Sequence, residues 1–149
     1  MKIGGERHYL WRAVDQDGDV IDILVQRYRN ARAANRFLRK LLKGQESQPW
    51  QLVTDKLRSY GAARRRIMPS VDHNMERYAN NLAEVSHQPT RQRERQMRGF
   101  KSAGQVQRFL SVHGVIRNLF NLGRHRLSSA NYRLLRERSF KEWSAATAA

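Results

Sequence analysis

The stretch Tyr9-Leu10-Trp11-Arg12-Ala13-Val14, which turns through Asp15-Gln16-Asp17-Gly18 and returns as Asp19-Val20-Ile21-Asp22-Ile23-Leu24-Val25-Gln26, decides the fold. Tyr9, Trp11 and Ala13 fall on one side and Leu10, Arg12 and Val14 on the other, the alternation of a strand. The Asp and Gly residues at 15–18 supply turn chemistry, and the returning segment is rich in valine and isoleucine, so residues 7 to 26 read as a β-hairpin. Asp15, Asp17, Asp19 and Asp22 resemble the start of a calcium loop. However, Gly18 stands at the fourth position of that run and not the sixth, and no helix pair flanks it; the turn accounts for Asp15 and Asp17.

Upstream, Met1-Lys2-Ile3-Gly4-Gly5 has room only for the tail of a strand, so an incomplete first strand is expected, its remainder lying upstream. Downstream, Asn30 to Lys43 reads as a helix capped by Asn30, with Ala33, Phe37, Leu38, Leu41 and Leu42 on its apolar side. Gln51-Leu52-Val53-Thr54-Asp55 is a short strand ending in an acid. The order strand, strand, helix, strand implies an α/β domain with a mixed sheet and flanking helices. Ser59 to Ile67 reads as a short basic helix, and Val71 to Tyr78, carrying His73 and Arg77, as a short strand or extended link.

The C-terminal third is expected to be helical. Ala103 to Leu122 places Val106, Phe109, Leu110, His113, Ile116 and Phe120 on one side, His113 as a core-edge histidine, and Gly123-Arg124-His125-Arg126 ends that helix. Asn131 to Trp143 forms another, with Tyr132, Leu135 and Trp143 as anchors; Ser139-Phe140-Lys141-Glu142 is a candidate recap, and the alanine-rich end at 145–149 reads as frayed. The chain thus divides into a domain at 1–122 and a helical tail at 123–149, which would pack on the sheet or on another subunit.

Twenty-nine Lys and Arg oppose 13 Asp and Glu in 149 residues, a formal charge of +16. Residues 61–149 hold 17 of the basic residues and 6 of the acids, with arginine far ahead of lysine, which suits bidentate phosphate contacts and makes this half the expected polyanion surface. Cysteine is absent, which excludes disulfides, thiolate nucleophiles and cysteine-based zinc sites. No run approaches the about 18 apolar residues of a membrane span, and the N-terminus has no signal-peptide apolar core, so the cytoplasm or nucleoid is the expected compartment.

Two acids stand out. Asp55 closes a strand, where ligands of α/β sheets gather, and is followed by Lys56 and Arg58; an Asx turn or helix N-cap is the competing reading. Glu84 precedes the basic segment Arg91 to Lys101, in which Arg91, Arg95 and Arg98 have the spacing of one helix face, with Arg93 to the side. A carboxylate beside such a stripe fits a divalent metal acting on a nucleic-acid backbone held by the arginines. The competing reading is a capping box, Asn81 as N-cap and Glu84 at the third helical position, ahead of a solvated arginine face. Pro89 kinks this helix or starts a new one.

Several blocks, in order, resemble the catalytic domain of DDE-type insertion-sequence transposases of the IS-six and IS-twenty-six group. They are Tyr9 to Asp15 with Asp17-Gly18, Ala33-Ala34 with Arg36-Phe37, Val53-Thr54-Asp55-Lys56 with Ser59-Tyr60, Asn80 to Glu84 with Ser86-His87, and Arg98-Gly99-Phe100-Lys101-Ser102; together they span about residues 2–120. The resemblance implies a ribonuclease-H-like fold and an Asp-Asp-Glu triad holding two divalent ions, Mg²⁺ or Mn²⁺. Asp55 matches the family's second aspartate and Glu84 its glutamate. Lys56, Arg58, Arg91, Arg95, Arg98 and Lys101 would then hold DNA. The family's first aspartate lies on a strand just before Lys2, and 28 residues separate Asp55 from Glu84, an interval shorter than usual in the family that a deletion after Arg66 would explain. The resemblance therefore implies the C-terminal part of a transposase, apparently a truncated copy, with weak metal binding and impaired or absent strand cleavage. Asp15, about 20 Å along the next strand by its rise, is not assigned to the metal. Its partners would be DNA and another copy or a full-length transposase. A non-catalytic DNA-binding remnant and a structural nucleic-acid-binding protein are the alternatives.

Overall fold

The computed structural model describes every residue but Glu46, Arg77 and Ala149. Arg77, expected on the link after residue 71, therefore lies outside the described residues. Strands β1 (Lys2–Ile3) and β2 (Glu6–Arg7) turn through Gly4 and Gly5, whose φ values of +55° and +84° favour glycine. After His8 the chain enters β3 (Tyr9–Val14), turns at Asp15–Asp19, and returns as β4 (Val20–Gln26). The antiparallel register runs from Tyr9 opposite Gln26 to Ala13 opposite Asp22, then shifts so that Val14 faces Val20. Asp15 holds the turn, its Oδ1 accepting from the N–H groups of Asp17 and Asp19, both at 2.9 Å.

Helix α1 (Ala31–Lys43) follows, with the Asn30 side chain accepting from Ala33 N–H as its cap. Strand β5 (Gln51–Val53), helix α2 (Arg58–Ile67) and strand β6 (Asp72–Asn74) come next, β5 and β6 pairing in parallel. Helices α3 (Asn81–Ser86) and α4 (Gln88–Gln96) meet at His87, and α5 (Ala103–Phe120) is capped by Ser102. A 3₁₀ turn at Arg124–Arg126 leads into α6 (Ser129–Thr147).

The hairpin is the middle layer, as its alternation requires. Trp11, with Ala13 and Leu24, packs against Ala34, Phe37 and Leu38 of α1 and against Ala63, Met68 and Val71 around α2. The opposite face, with Leu10, Val20, Ile23 and Val25, packs on Val106 and Leu110 of α5 and on Ile3 and Phe100. Helix α5 also serves the outer edge of β4. Gln107 accepts from Val25 N–H (2.9 Å) and donates to the Ile23 carbonyl (3.3 Å), while Asn118 accepts from Val20 N–H and donates to its carbonyl, both at 2.9 Å. These amides satisfy backbone groups that a neighbouring strand would otherwise meet.

Four expectations need correction. The described strands form three two-stranded sheets, β1–β2, β3–β4 and β5–β6, in place of one mixed sheet, because no strand stands between the open edges of β3 and β5. Asn80, not Asn81, is the N-cap of α3, and its side chain makes no capping bond, so there is no capping box with Glu84. Arg98 is off the helical stripe: α4 ends at Gln96, Arg98 has φ +56°, and Gly99 N–H closes the end on the Glu94 carbonyl at 2.8 Å. Ser139 does not recap a helix; α6 runs unbroken through it to Thr147, and its buried hydroxyl donates to the carbonyls of Leu119 (2.7 Å) and Leu135 (3.0 Å). That contact and the Phe120 ring, 5.2 Å from Phe140 and 6.5 Å from Trp143, attach α6 to α5.

Candidate functional site: an acid-lined cleft beside arginine-rich α4

A cleft of about 910 Å³ opens between β3, β5 and the α3–α4 segment, and both Asp55 and Glu84 line it. Asp55 arrives there because β5 stops at Val53. Thr54, buried beside it, has its hydroxyl 2.8 Å from His73 Nε2 and donates to the Asp55 carbonyl at 2.9 Å. The Asp55 carboxylate accepts from Leu57 N–H at 3.1 Å, the Asx turn, and from the guanidinium of Arg29. Glu84 lies in the first turn of α3, exposed, its N–H bonded to the Asn80 carbonyl at 3.1 Å.

Pro89 begins α4, so the chain makes two short helices and not one kinked one. Arg91 and Arg95 are four residues apart on α4 and both exposed; Arg98 and Lys101, past its end, are exposed too, as are Lys56 and Arg58 beside Asp55. Among the described residues, none of these six cations forms an ion pair with an acid.

Four residues to which sequence reasoning assigned no role in the site shape the cleft, although Arg12, Tyr60 and His87 lie in the blocks that carry the family resemblance. Arg12 points from β3 to the helices, donating to the Ser86 carbonyl and to Thr90 Oγ1. Burial, and then Arg117, lowers its pKa to about 10, so it stays cationic at neutral pH. Burial, with Arg12 and Arg91 adding repulsion, lowers the His87 pKa to about 4, which keeps its imidazole neutral. Tyr60, edge-on to Trp11 at 5.1 Å, has its phenol pKa raised by burial first and by Asp55 second. Arg29 holds Asp55. The alternation places Arg12 on the strand face opposite Trp11, but nothing local signals its partners 74 and 78 residues away.

A two-ion centre needs several carboxylates converging on the same space. Among the described residues no three His, Asp or Glu side chains gather in a way that could hold an ion. Asp15 also lines the cleft, but its Oδ1 is committed to its own turn. Asp55 and Glu84 as they stand therefore do not fit a complete two-ion site.

The structure is an α/β domain whose cleft is lined by four acids, Asp15, Asp55, Glu84 and Glu94, with an arginine-rich helix beside it. The chain belongs to the DDE-domain family, the model for DDE domains of the IS240 transposase type matching residues 1–122. It is 29% identical over 108 residues to the transposase for insertion sequence-like element IS431mec of Staphylococcus aureus strain Mu50, which covers 69% of this chain and 48% of that protein. The same figures hold for the transposase for insertion sequence element IS257 in transposon Tn4003 of Staphylococcus aureus. An uncharacterized protein, pYV0051, of Yersinia pseudotuberculosis is 37% identical over 70 residues, 46% of this chain and 65% of that protein. The chain thus spans about half the length of the staphylococcal relatives. No solved structure matches it. Among the described residues no helix is long and apolar enough to cross a membrane.

Proposed function

We propose that this chain acts in insertion-sequence transposition, as part of a ribonuclease-H-like DDE transposase domain that cleaves and joins DNA strands. Asp55 and Glu84 are the carboxylates it contributes to a Mg²⁺ or Mn²⁺ site. Lys56, Arg58, Arg91, Arg95, Arg98 and Lys101 hold the DNA backbone at the nucleoid, and residues 123–149 form a helical appendage. The observation that supports this reading is that Asp55 and Glu84 both line one cleft, although 28 residues separate them in sequence. Metal, when bound, would activate water or a strand end for attack on phosphorus. The chain's own part is to present the two carboxylates and to position DNA along the arginines.

One observation favours a second reading, a DNA-binding chain without catalysis: Asp55 is bonded to Arg29, and among the described residues no third acid or histidine is grouped with Asp55 and Glu84 to hold an ion. A nicking assay on supercoiled plasmid with Mg²⁺ or Mn²⁺ separates the two. The 149 residues alone are expected to bind the plasmid without nicking it. Metal-dependent nicking abolished by both Asp55→Asn and Glu84→Gln would show that the site is complete in this chain. Absence of DNA binding at low salt would remove both readings.

A further inference from the structure

Arg12 stands on the face of β3 that also carries Leu10, the face covered by α5. Its guanidinium reaches across to the other two helices, donating to the Ser86 carbonyl at the end of α3 and to Thr90 Oγ1 of α4. Arg12 therefore lies where α5 and the α3–α4 segment come together over the hairpin. Helix α5 brings a second guanidinium to this junction. Val106, Leu110, His113 and Arg117 are spaced four, three and four residues apart, one stripe of a helix. Val106 and Leu110 fill the core against the hairpin, and His113 and Arg117, both half-buried, continue their stripe. Asn118, the neighbour of Arg117, is bonded to both backbone groups of Val20, which fixes how this end of α5 sits on the hairpin. The His113 ring is stacked on Phe109 at 5.2 Å. Arg93 of α4 is exposed at the rim. Arg12 and Thr90 also line the cleft, so the junction opens onto it.

No acid answers these cations. Among the described residues Arg12, Arg93 and Arg117 form no ion pair, and Glu94, the acid of α4, is paired with none of them. The Arg12 Nε–H is buried without a hydrogen-bond partner. The like charges act on one another: burial and then Arg117 lower the Arg12 pKa, and burial, then Arg12, Arg93 and Arg117, lower that of His113. A desolvated guanidinium among others of its own sign is costly until an anion joins it. The guanidinium fork matches the paired oxygens of an oxyanion. Three guanidinium groups exceed the single charge of a carboxylate or a phosphodiester, and suit a phosphoryl group that carries about two charges. We propose that the junction of β3, α4 and α5 is a binding site for a phosphate dianion, held by Arg12 and Arg117 with Arg93 at the rim. Two sources share that chemistry: inorganic phosphate and the terminal phosphate of a DNA strand. The site uses neither Asp55 nor Glu84 and no metal, so it is independent of the proposed function. A chain that binds phosphate here but not DNA keeps this site and loses that reading; one that binds DNA but no phosphate here does the reverse.

The test uses the full chain and inorganic phosphate, with chloride at matched ionic strength as the reference. Phosphate is expected to raise the thermal midpoint above that reference and to shift the Arg12 Nε–H resonance, both saturably. Arg12→Gln would also remove the bonds to Ser86 and Thr90, so Arg117 and Arg93 carry the mutational test. Neither breaks an ion pair when replaced. Arg117→Gln is expected to weaken phosphate binding about tenfold, the loss of one charge-assisted contact, and Arg93→Gln by a smaller factor. Arg108→Gln, at an exposed position on the far side of α5 from Arg117, should leave it unchanged, circular dichroism confirming that all three variants fold. A short single strand with a 5′-phosphate and the same strand with a 5′-hydroxyl separate the sources. Displacement of inorganic phosphate by the first alone assigns the site to a strand terminus, and displacement by neither assigns it to free phosphate. Equal displacement by both would make the junction an ordinary backbone contact and overturn the inference. So would a phosphate effect no larger than that of chloride, or phosphate binding that Arg117→Gln and Arg108→Gln change alike.

Discussion

The guanidinium of Arg29, just beyond β4, donates to the carboxylate of Asp55, just beyond β5, and so ties the ends of two strands that share no hydrogen-bonded ladder. Their side chains are 45% and 34% exposed, so the pair itself stabilises the fold by about 1 kcal/mol or less. Its larger effect is on what Asp55 is free to bind. Arg29→Ala is expected to move the urea midpoint little and to raise Mn²⁺ affinity severalfold, measured by the loss of the free Mn²⁺ resonance signal. Asp55→Asn in the same background should abolish that gain. If the double variant binds Mn²⁺ as well as Arg29→Ala does, Asp55 is not a ligand.

His87 makes stability depend on pH. Its folded pKa is lowered to about 4 from an ordinary value of 6.5. Between those values the unfolded chain binds a proton that the folded chain does not. The contribution is therefore complete above pH 6.5 and is lost as pH falls towards 4. Allowing for partial solvent screening, about 2 kcal/mol is at stake. His73 and His113 are shifted down as well, so they add to the same slope in any variant that retains them. His87→Gln is expected to flatten part of the fall in urea midpoint between pH 7 and pH 4.5; an unchanged slope would show that His87 titrates normally.

Local pattern and long-range geometry were unequally legible in this sequence. The alternation at residues 9–14, the Asn30 cap and the apolar stripe of α1 depend on neighbours within a few positions, and each appears in the structure where periodicity puts it. The same holds for Val106 and Leu110, which fill the core under the second face of the hairpin. Arg98 misled because helical spacing says nothing of where a helix stops; the left-handed turn at Arg98 and Gly99 takes it off the face of Arg91 and Arg95. Ser139 misled for the opposite reason: a serine inside a helix resembles a cap until its partner on α5 is known. Arg29 with Asp55 was hidden because the pair depends on where β5 ends relative to the hairpin, a relation that no periodicity encodes.

Gln107 and Asn118 take the place of a strand along β4, and their removal tests how much that edge depends on them. Gln107→Leu leaves Val25 N–H and the Ile23 carbonyl without partners, and Asn118→Leu does the same to both backbone groups of Val20. Each substitution is expected to lower stability by about 2 kcal/mol, since an unpaired buried backbone group costs about 1–3 kcal/mol. The double variant should lose close to the sum, because the two sites serve different stretches of β4. Urea unfolding measures this. A loss under about 0.5 kcal/mol for either would mean that water replaces the amide at no penalty.

DNA binding provides the sharpest test of the basic surface, because the two parts of the arginine run are now distinct. Arg91 and Arg95 lie one turn apart on α4 and can follow one strand of phosphates, whereas Arg98 leaves the helix with its backbone in the left-handed region. Affinity for an unrelated 20-base-pair duplex is expected to fall steeply from 50 to 200 mM salt, as counterion release requires. Arg91→Glu with Arg95→Glu should weaken binding on every duplex alike and reduce the slope of log affinity against log salt by about two, one for each lost phosphate contact. Arg98→Glu alone should change the slope by about one or less, and adding it to the pair should not extend the loss by an equal third step. Fluorescence anisotropy over that salt range reads all three. Equal, additive effects of the three arginines would place Arg98 on the same phosphate track after all, and indifference to all three would move the DNA surface off α4.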